Sequence, residues 1–244
     1  MPFSAKTLDF LFENRLNDRK EWFEAHKEDF RALVLQPLQQ LVIDLTPAAL
    51  EIDPRFVTEP RTDRTISRVR RDTRFSRDKS LYRDNMWIHF DRGKSGIPDQ
   101  PCIWFDIGSH GFGYGCGIYA PSPGYMDTLR EMILAGDPLF IEAKRAFESQ
   151  DVYYLDGERY KRPRYPDQPE ELQRWLDLKN IGFSHESKDY DLLFSDNLAE
   201  TVAKDLPLLK PLYRFLMHAA EKRVAGSEPA EPIIRSAVPK EWDW

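Results

Sequence analysis

The spacing of apolar residues changes twice along the chain, and this change constrains the fold more than any other feature. In the first 50 residues apolar side chains recur at helical spacing, as at Phe30 and Val34, which predicts amphipathic helices. Residues 56–119 contain short alternating runs instead, as at Met86 and Ile88, which predicts β-strands. Helical spacing then returns. The order predicts an α+β fold of one domain, an antiparallel β-sheet flanked by N-terminal and C-terminal helices, and not alternating βαβ units.

Capping residues and prolines predict where individual elements begin and end. Ser4 is expected to cap a first helix over residues 4–16, and Asp18 to start a second helix with Glu21 three positions later, a capping-box spacing. Pro37 should kink this second helix, because proline has no N–H to donate. We expect residues 1–224 to form the single domain. Residues 225–244, which include three prolines, should form an extended tail.

Several functional classes are disfavoured by composition. No run approaches the roughly 18 apolar residues that cross a bilayer, so no membrane partner is expected. The chain has two cysteines and no visible secretory signal, which predicts a cytoplasmic protein. Its five histidines form no metal-binding motif with each other or with cysteine. The sequence therefore predicts no metal and no cofactor, and it indicates no particular protein partner.

The most unusual stretch is a cationic segment, residues 61–83. It holds nine basic and three acidic residues, a net charge of +6, although the whole chain has a net charge of −6. The rest of the chain therefore has a net charge of −12. A concentrated positive charge on an acidic protein favours a local anion site and disfavours a nucleic-acid surface.

Within the cationic segment the residue types suit a small anionic or phosphorylated ligand. Arginine offers a planar fork of donors for carboxylate or phosphate, and lysine adds a point charge. The arginines and the lysine would hold the anion, while the aspartates would orient them or transfer protons, and the hydroxyls would donate hydrogen bonds. The predicted site comprises Arg68, Arg71, Asp72, Arg74, Ser76, Asp78, Lys79 and Tyr82. Alternatively, these residues form an internal ion-pair network and the protein is a scaffold or interaction protein. The sequence leaves open whether any reaction is catalysed.

Alternating glycines mark a second candidate region. Gly111, Gly113, Gly115 and Gly117 would share one face of a strand. Glycine within a strand often marks the close approach of a ligand or of another backbone. Gly113, Gly115 and Gly117 could therefore form a ligand wall, and they could equally accommodate a packed helix or a bulge.

The order of these motifs resembles a known family. Residues 68–82 are similar to its signature, Arg-x-x-Arg-Asp-x-Arg-Phe-Ser-x-Asp-Lys-x-x-Tyr, and residues 17–23 and 115–121 are similar to its opening helices and glycine-rich strand. The chain thus resembles the family called "domain of unknown function 2461". The resemblance implies a single α+β domain in a cytosolic protein. It implies no activity, because a fold does not define a function.

Overall fold

The computed structural model describes residues 3–74 and 77–226. Its centre is a five-stranded antiparallel sheet, which confirms the predicted α+β class. The strands are β1 (Asn85–Phe90), β2 (Cys102–Gly108), β3 (Gly111–Gly117), β4 (Tyr154–Asp156) and β5 (Gly182–Ser187). They are arranged in the order β1-β2-β3-β5-β4, and every neighbouring pair is antiparallel.

Helices precede and follow the first three strands, as the change in spacing predicts. The N-terminal helices are α1 (Ala5–Asn17), α2 (Lys20–Ala25), α3 (Lys27–Phe30) and α4 (Gln36–Ile52). The later helices are α5 (Pro123–Leu134), α6 (Pro138–Glu148), α7 (Glu170–Leu176), α8 (Tyr190–Leu193), α9 (Leu198–Asp205) and α10 (Lys210–Gly226). Helix α4 contacts β1 and α10 contacts β3.

The two faces of the sheet differ in character. Met86, Ile88 and Phe90 alternate along β1 and are buried in the hydrophobic core. The residues between them, and their register partners on β2, β3 and β5, lie on the opposite face, which we call the outer face. It comprises Trp87, His89, Trp104, Asp106, Gly113, Gly115, Ser184 and Glu186.

The first two helices begin differently from one another. Ser4 caps α1 as predicted, and its backbone N–H donates to the Thr7 hydroxyl at 3.1 Å. The prediction that Asp18 starts the second helix is wrong. Asp18 has a φ of 45° in the left-handed region and ends α1, and Arg19 occupies the N-cap position of α2 without a side-chain capping hydrogen bond. The carboxylate of Asp18 accepts hydrogen bonds from the backbone of residues 81 and 82 instead.

Pro37 affects its helix through the preceding turn. Residues Arg31–Leu35 form a π-helical turn immediately before α4. Because Pro37 has no N–H, the carbonyl of Leu33 is left without its usual helical donor. The hydroxyl of Thr7 donates to that carbonyl at 2.8 Å, which ties α1 to this turn.

Two features late in the chain differ from the sequence-based expectation. Strands β4 and β5 complete the sheet, although the sequence indicates only a polar hairpin or loop near Asp156. Helix α10 continues to Gly226, so it includes the first two residues of the expected tail. The remainder of that tail, residues 227–244, lies outside the described residues.

Candidate functional site

The cationic segment follows the free edge of the sheet. The backbone N–H of His89 donates to the carbonyl of Thr65 at 2.8 Å, which holds the start of the segment against β1. The chain then forms a short ribbon, in which residues 69–71 run antiparallel to residues 81–83. Arg71 N–H donates to Leu81 O at 2.8 Å, and Arg83 N–H donates to Val69 O at 2.9 Å. Arg71 and Arg83 therefore share one face of this ribbon.

Helix α1 anchors the returning half of the ribbon. The Asp18 carboxylate accepts hydrogen bonds from the backbone N–H groups of Leu81, at 2.7 Å, and of Tyr82, at 3.0 Å. The ring of Tyr82 is 3% exposed and stacks on Phe23 with a centroid distance of 5.0 Å. Burial raises the pKa of its hydroxyl. The structure therefore places Tyr82 in the core, although the sequence had proposed it as a ligand donor.

Asp78 is the centre of an ion-pair network. Its carboxylate accepts from Arg15 at 2.8 Å, from the Ser80 backbone N–H at 3.0 Å, and from Arg71 and the Ser80 hydroxyl. The hydrogen bonds from Ser80, followed by that from Arg71, hold the pKa of Asp78 well below its usual value. The structure thus brings Arg71 and Asp78 together. The Asp78 carboxylate occupies the position next to Arg71 that a bound anion would take.

The other predicted cations contact separate partners. Arg68 forms a two-pronged pair with Asp63, and Arg74 forms one with Asp72. These arginine side chains are 68% and 77% exposed. The hydrogen bond from Arg74 lowers the pKa of Asp72 to about 2. Lys79 donates to the backbone carbonyl of Thr73 at 2.9 Å.

Arg68, Arg74 and Lys79 thus each donate to a separate partner, although the charge of Arg68 also acts on Asp72, the partner of Arg74. Ser76, which the sequence also predicts in the site, lies outside the described residues.

A cleft of about 500 Å³ lies beside the network, between α1 and the ribbon. Its ionisable lining consists of Arg15 and three aspartates, Asp18, Asp78 and Asp84. Leu8, Phe12 and Leu16 form its apolar side. Three carboxylates against one guanidinium repel an anion, so this cleft does not suit the ligand that the cationic segment predicts.

Arg83 has a different environment from the other cations. Its guanidinium lies over the ring of Trp87, 4.5 Å from the ring centroid. The Nε atom is buried and has no hydrogen-bond partner within residues 3–74 and 77–226. Burial, followed by the charge of Arg71, lowers the pKa of Arg83. Sequence reasoning missed this residue. The available signal was its period-two spacing, which places Arg83 and Trp87 on the same face of an extended chain.

The ring of Trp104 covers two of the predicted wall glycines. A Cβ added at Gly113 would lie 3.4 Å from Trp104 Cζ3, and one at Gly115 would lie 3.1 Å from Trp104 Cζ2. At Gly115 the same Cβ would lie only 2.1 Å from the backbone oxygen of Phe183. At Gly117 it would lie 2.9 Å from the Cα of Gly182. The glycines therefore accommodate an indole ring and the close backbone of β5, and no helix covers them at these contacts.

A histidine–carboxylate pair lies next to Trp87 and Trp104 on the outer face. Asp106 is the register partner of Trp87, and its carboxylate lies 2.7 Å from His110 Nε2. Burial raises the pKa of Asp106, an effect that His110 opposes. The outer face thus combines two indole rings and a histidine–carboxylate pair, with the Arg83 guanidinium over Trp87.

The described part of the chain contains no group of three or more histidine, cysteine or acidic side chains placed to hold a metal ion. It also contains no helix that is long and apolar enough to span a membrane.

Fold and site together define an α+β protein whose antiparallel sheet has helices on one face and a charged, aromatic outer face. The family described as "Conserved hypothetical protein (DUF2461)" matches residues 6–215. This match covers most of the chain, and the protein belongs to that family. No curated protein matches the chain, and no solved structure matches it.

Proposed function

We propose that this protein binds a small anionic or phosphorylated ligand, and that Arg83 holds the anionic group at the outer face. The proposal keeps the ligand class that the cationic segment predicts. It moves the main contact to Arg83, because Arg68, Arg71, Arg74 and Lys79 already have local partners.

The observation that carries the proposal is the environment of Arg83. A guanidinium that loses water needs an opposite charge or hydrogen-bond acceptors to compensate. Arg83 has a buried Nε with no acceptor in the described ranges, and its charged neighbour Arg71 is also positive. An oxyanion bound to Arg83 would supply both the missing acceptor and the missing charge. A planar guanidinium is well suited to such two-pronged contacts.

A second function is favoured by a specific observation, the position of Asp78. Because this carboxylate joins Arg15 of α1 to Arg71 of the ribbon, the signature residues can act as a structural network in a scaffold or interaction protein. The two functions make opposite predictions for added anions. Only the first predicts that a small anion stabilises the fold through Arg83.

A thermal-shift screen at low ionic strength tests the proposal. Inorganic phosphate, sulfate, sugar phosphates and carboxylates are added to the wild type, to Arg83→Met, and to Arg68→Met as an exposed control. A ligand at about 100 times its Kd stabilises the folded state by about 2.7 kcal/mol. For a domain of this size that corresponds to a rise in Tm of roughly 5–11 °C.

We expect the rise in the wild type and in Arg68→Met, and its loss in Arg83→Met. No rise with any anion would contradict the proposal and favour the structural network. A rise that persists in Arg83→Met would show that the anion binds elsewhere.

We also propose that this binding takes place in the cytoplasm. Both cysteines, Cys102 and Cys116, are free thiols on neighbouring strands. Free thiols persist in a reducing compartment. Detection of the tagged protein in the periplasmic or secreted fraction of its native cells would contradict this location.

A further inference from the structure

We propose that the ligand carries a planar ring in addition to its anionic group, as a nucleoside monophosphate does, and that the ring stacks on Trp104. This inference rests on the proposed function, because it uses Arg83 to hold the anionic group. It adds the substrate class, a phosphorylated compound with a flat heterocycle.

The first argument is the conformation of Trp104. Its indole extends across β3 and contacts the positions of Gly113 and Gly115, so the ring lies against the glycine backbone of the sheet. Trp104 is also partly exposed. A ring that lies on the sheet and remains accessible presents a flat surface on which another planar ring can stack.

The second argument is the placement of Trp104 relative to Arg83. Trp87 and Asp106 are register partners, as are His89 and Trp104. Trp104 is therefore the diagonal neighbour of Trp87, and the Cα atoms of such neighbours lie roughly 7–8 Å apart. The Arg83 guanidinium lies over Trp87 and the Trp104 ring extends over β3, so a ligand that contacts both must be longer than this Cα spacing.

The third argument is the pair of polar side chains, Asp106 and His110, that lies next to the two indole rings. Asp106 lies across from Trp87 on the same face, and His110 pairs with it. These side chains offer a hydrogen-bond acceptor and a donor at the edge of the Trp104 surface. A heterocycle with polar edges can use such groups, whereas an alkyl phosphate cannot.

Isothermal titration calorimetry with three matched probes tests the inference at low ionic strength. Adenosine monophosphate carries both ring and phosphate, ribose 5-phosphate lacks the ring, and adenosine lacks the phosphate. We expect adenosine monophosphate to bind roughly 5- to 150-fold more tightly than ribose 5-phosphate, which is the effect of stacking one base on an aromatic side chain. Adenosine should bind more weakly than either.

Two substitutions of Trp104 separate stacking from a general defect in folding. Trp104→Leu should remove the preference for adenosine monophosphate and leave the affinity for ribose 5-phosphate within about twofold. Trp104→Phe keeps an aromatic ring and should retain part of the preference. Trp22→Leu, in α2 and stacked on His26, removes a tryptophan elsewhere and should leave both affinities unchanged.

Equal affinities for adenosine monophosphate and ribose 5-phosphate in the wild type would overturn the stacking inference and leave the proposed anion function intact. A preference that survives in Trp104→Leu would also overturn it. If neither phosphate compound nor inorganic phosphate binds, the proposed function fails as well.

Discussion

Replacing Gly115 by alanine should destabilise the protein far more than the same replacement at Gly113. Both glycines lie on the outer face of β3 under the ring of Trp104. They differ in how closely the backbone of β5 approaches. The added Cβ would be 2.1 Å from Phe183 O at position 115, but 3.1 Å from His185 O at position 113.

The magnitude follows from these distances. A carbon–oxygen contact between strands is normally about 3.3 Å or longer, so Gly115→Ala forces β5 to move by roughly 1 Å. Overpacking of this kind costs about 1–3 kcal/mol, and we expect about 3 kcal/mol because the obstacle is backbone. At Gly113 a shift of a few tenths of an ångström is enough. The free-energy cost of this smaller shift is partly offset, because alanine makes the unfolded chain less flexible and so stabilises the folded state by roughly 0.4–1 kcal/mol.

Urea unfolding followed by circular dichroism measures both free energies of unfolding. In thermal melts, Gly115→Ala should lower Tm by roughly 6–12 °C and Gly113→Ala by less than about 4 °C. Equal losses in the two variants would refute the reasoning. They would show that the approach of the Phe183 backbone is not what requires glycine at position 115.

Three further predictions concern the ion pairs and hydrogen bonds of charged side chains. Arg74→Met should raise the pKa of Asp72 from about 2 toward 3.8, measured by carboxyl carbon NMR, and an unchanged pKa would contradict the pairing. Because this folded-state pKa is depressed, the pair stabilises the protein above about pH 4, and its contribution disappears as the pH falls toward 2. Arg130→Met should lower the free energy of unfolding by about 3 kcal/mol in urea, since the buried guanidinium donates to two backbone carbonyls before β5; a loss below about 1 kcal/mol would argue against those bonds. Asp78→Asn should lower Tm more than Asp63→Asn, because Asp78 accepts from three residues and Asp63 from one arginine; the reverse order would contradict a central role for Asp78.

The parts of the fold that could be predicted are those in which local pattern and burial agree. Strand β1 alternates because one face packs on the helices, so its spacing is visible in the sequence. Strand β5 was missed because only Phe183 and Ser184 are buried in it, which gives no alternation. Its position depends on pairing with β3, about 70 residues earlier. Such long-range pairing produces no recognisable apolar pattern in a short polar segment, so the strand could not be predicted from its own residues.

The site was only partly predictable for a similar reason. The sequence shows the concentration of charge and the aspartates near it, but not which aspartate meets which arginine. Arg15 and Asp78, separated by 63 positions, are brought together only by the packing of α1. The prediction that Asp18 begins a helix was wrong because its carboxylate holds the ribbon instead. Arg83 becomes distinctive only when its stacking on Trp87 and its buried Nε are seen.

The most direct test of the central claim observes the Arg83 guanidinium itself. Nitrogen–proton NMR spectra of the arginine Nε–H groups are recorded while inorganic phosphate is added at low ionic strength. The signal that disappears in Arg83→Lys identifies Arg83, and the Arg68 signal is assigned in the same way. We predict a saturable shift of the Arg83 Nε–H signal and no matching shift of the Arg68 signal, which already donates to Asp63. An Arg83 signal that stays in place at saturating phosphate would contradict the account.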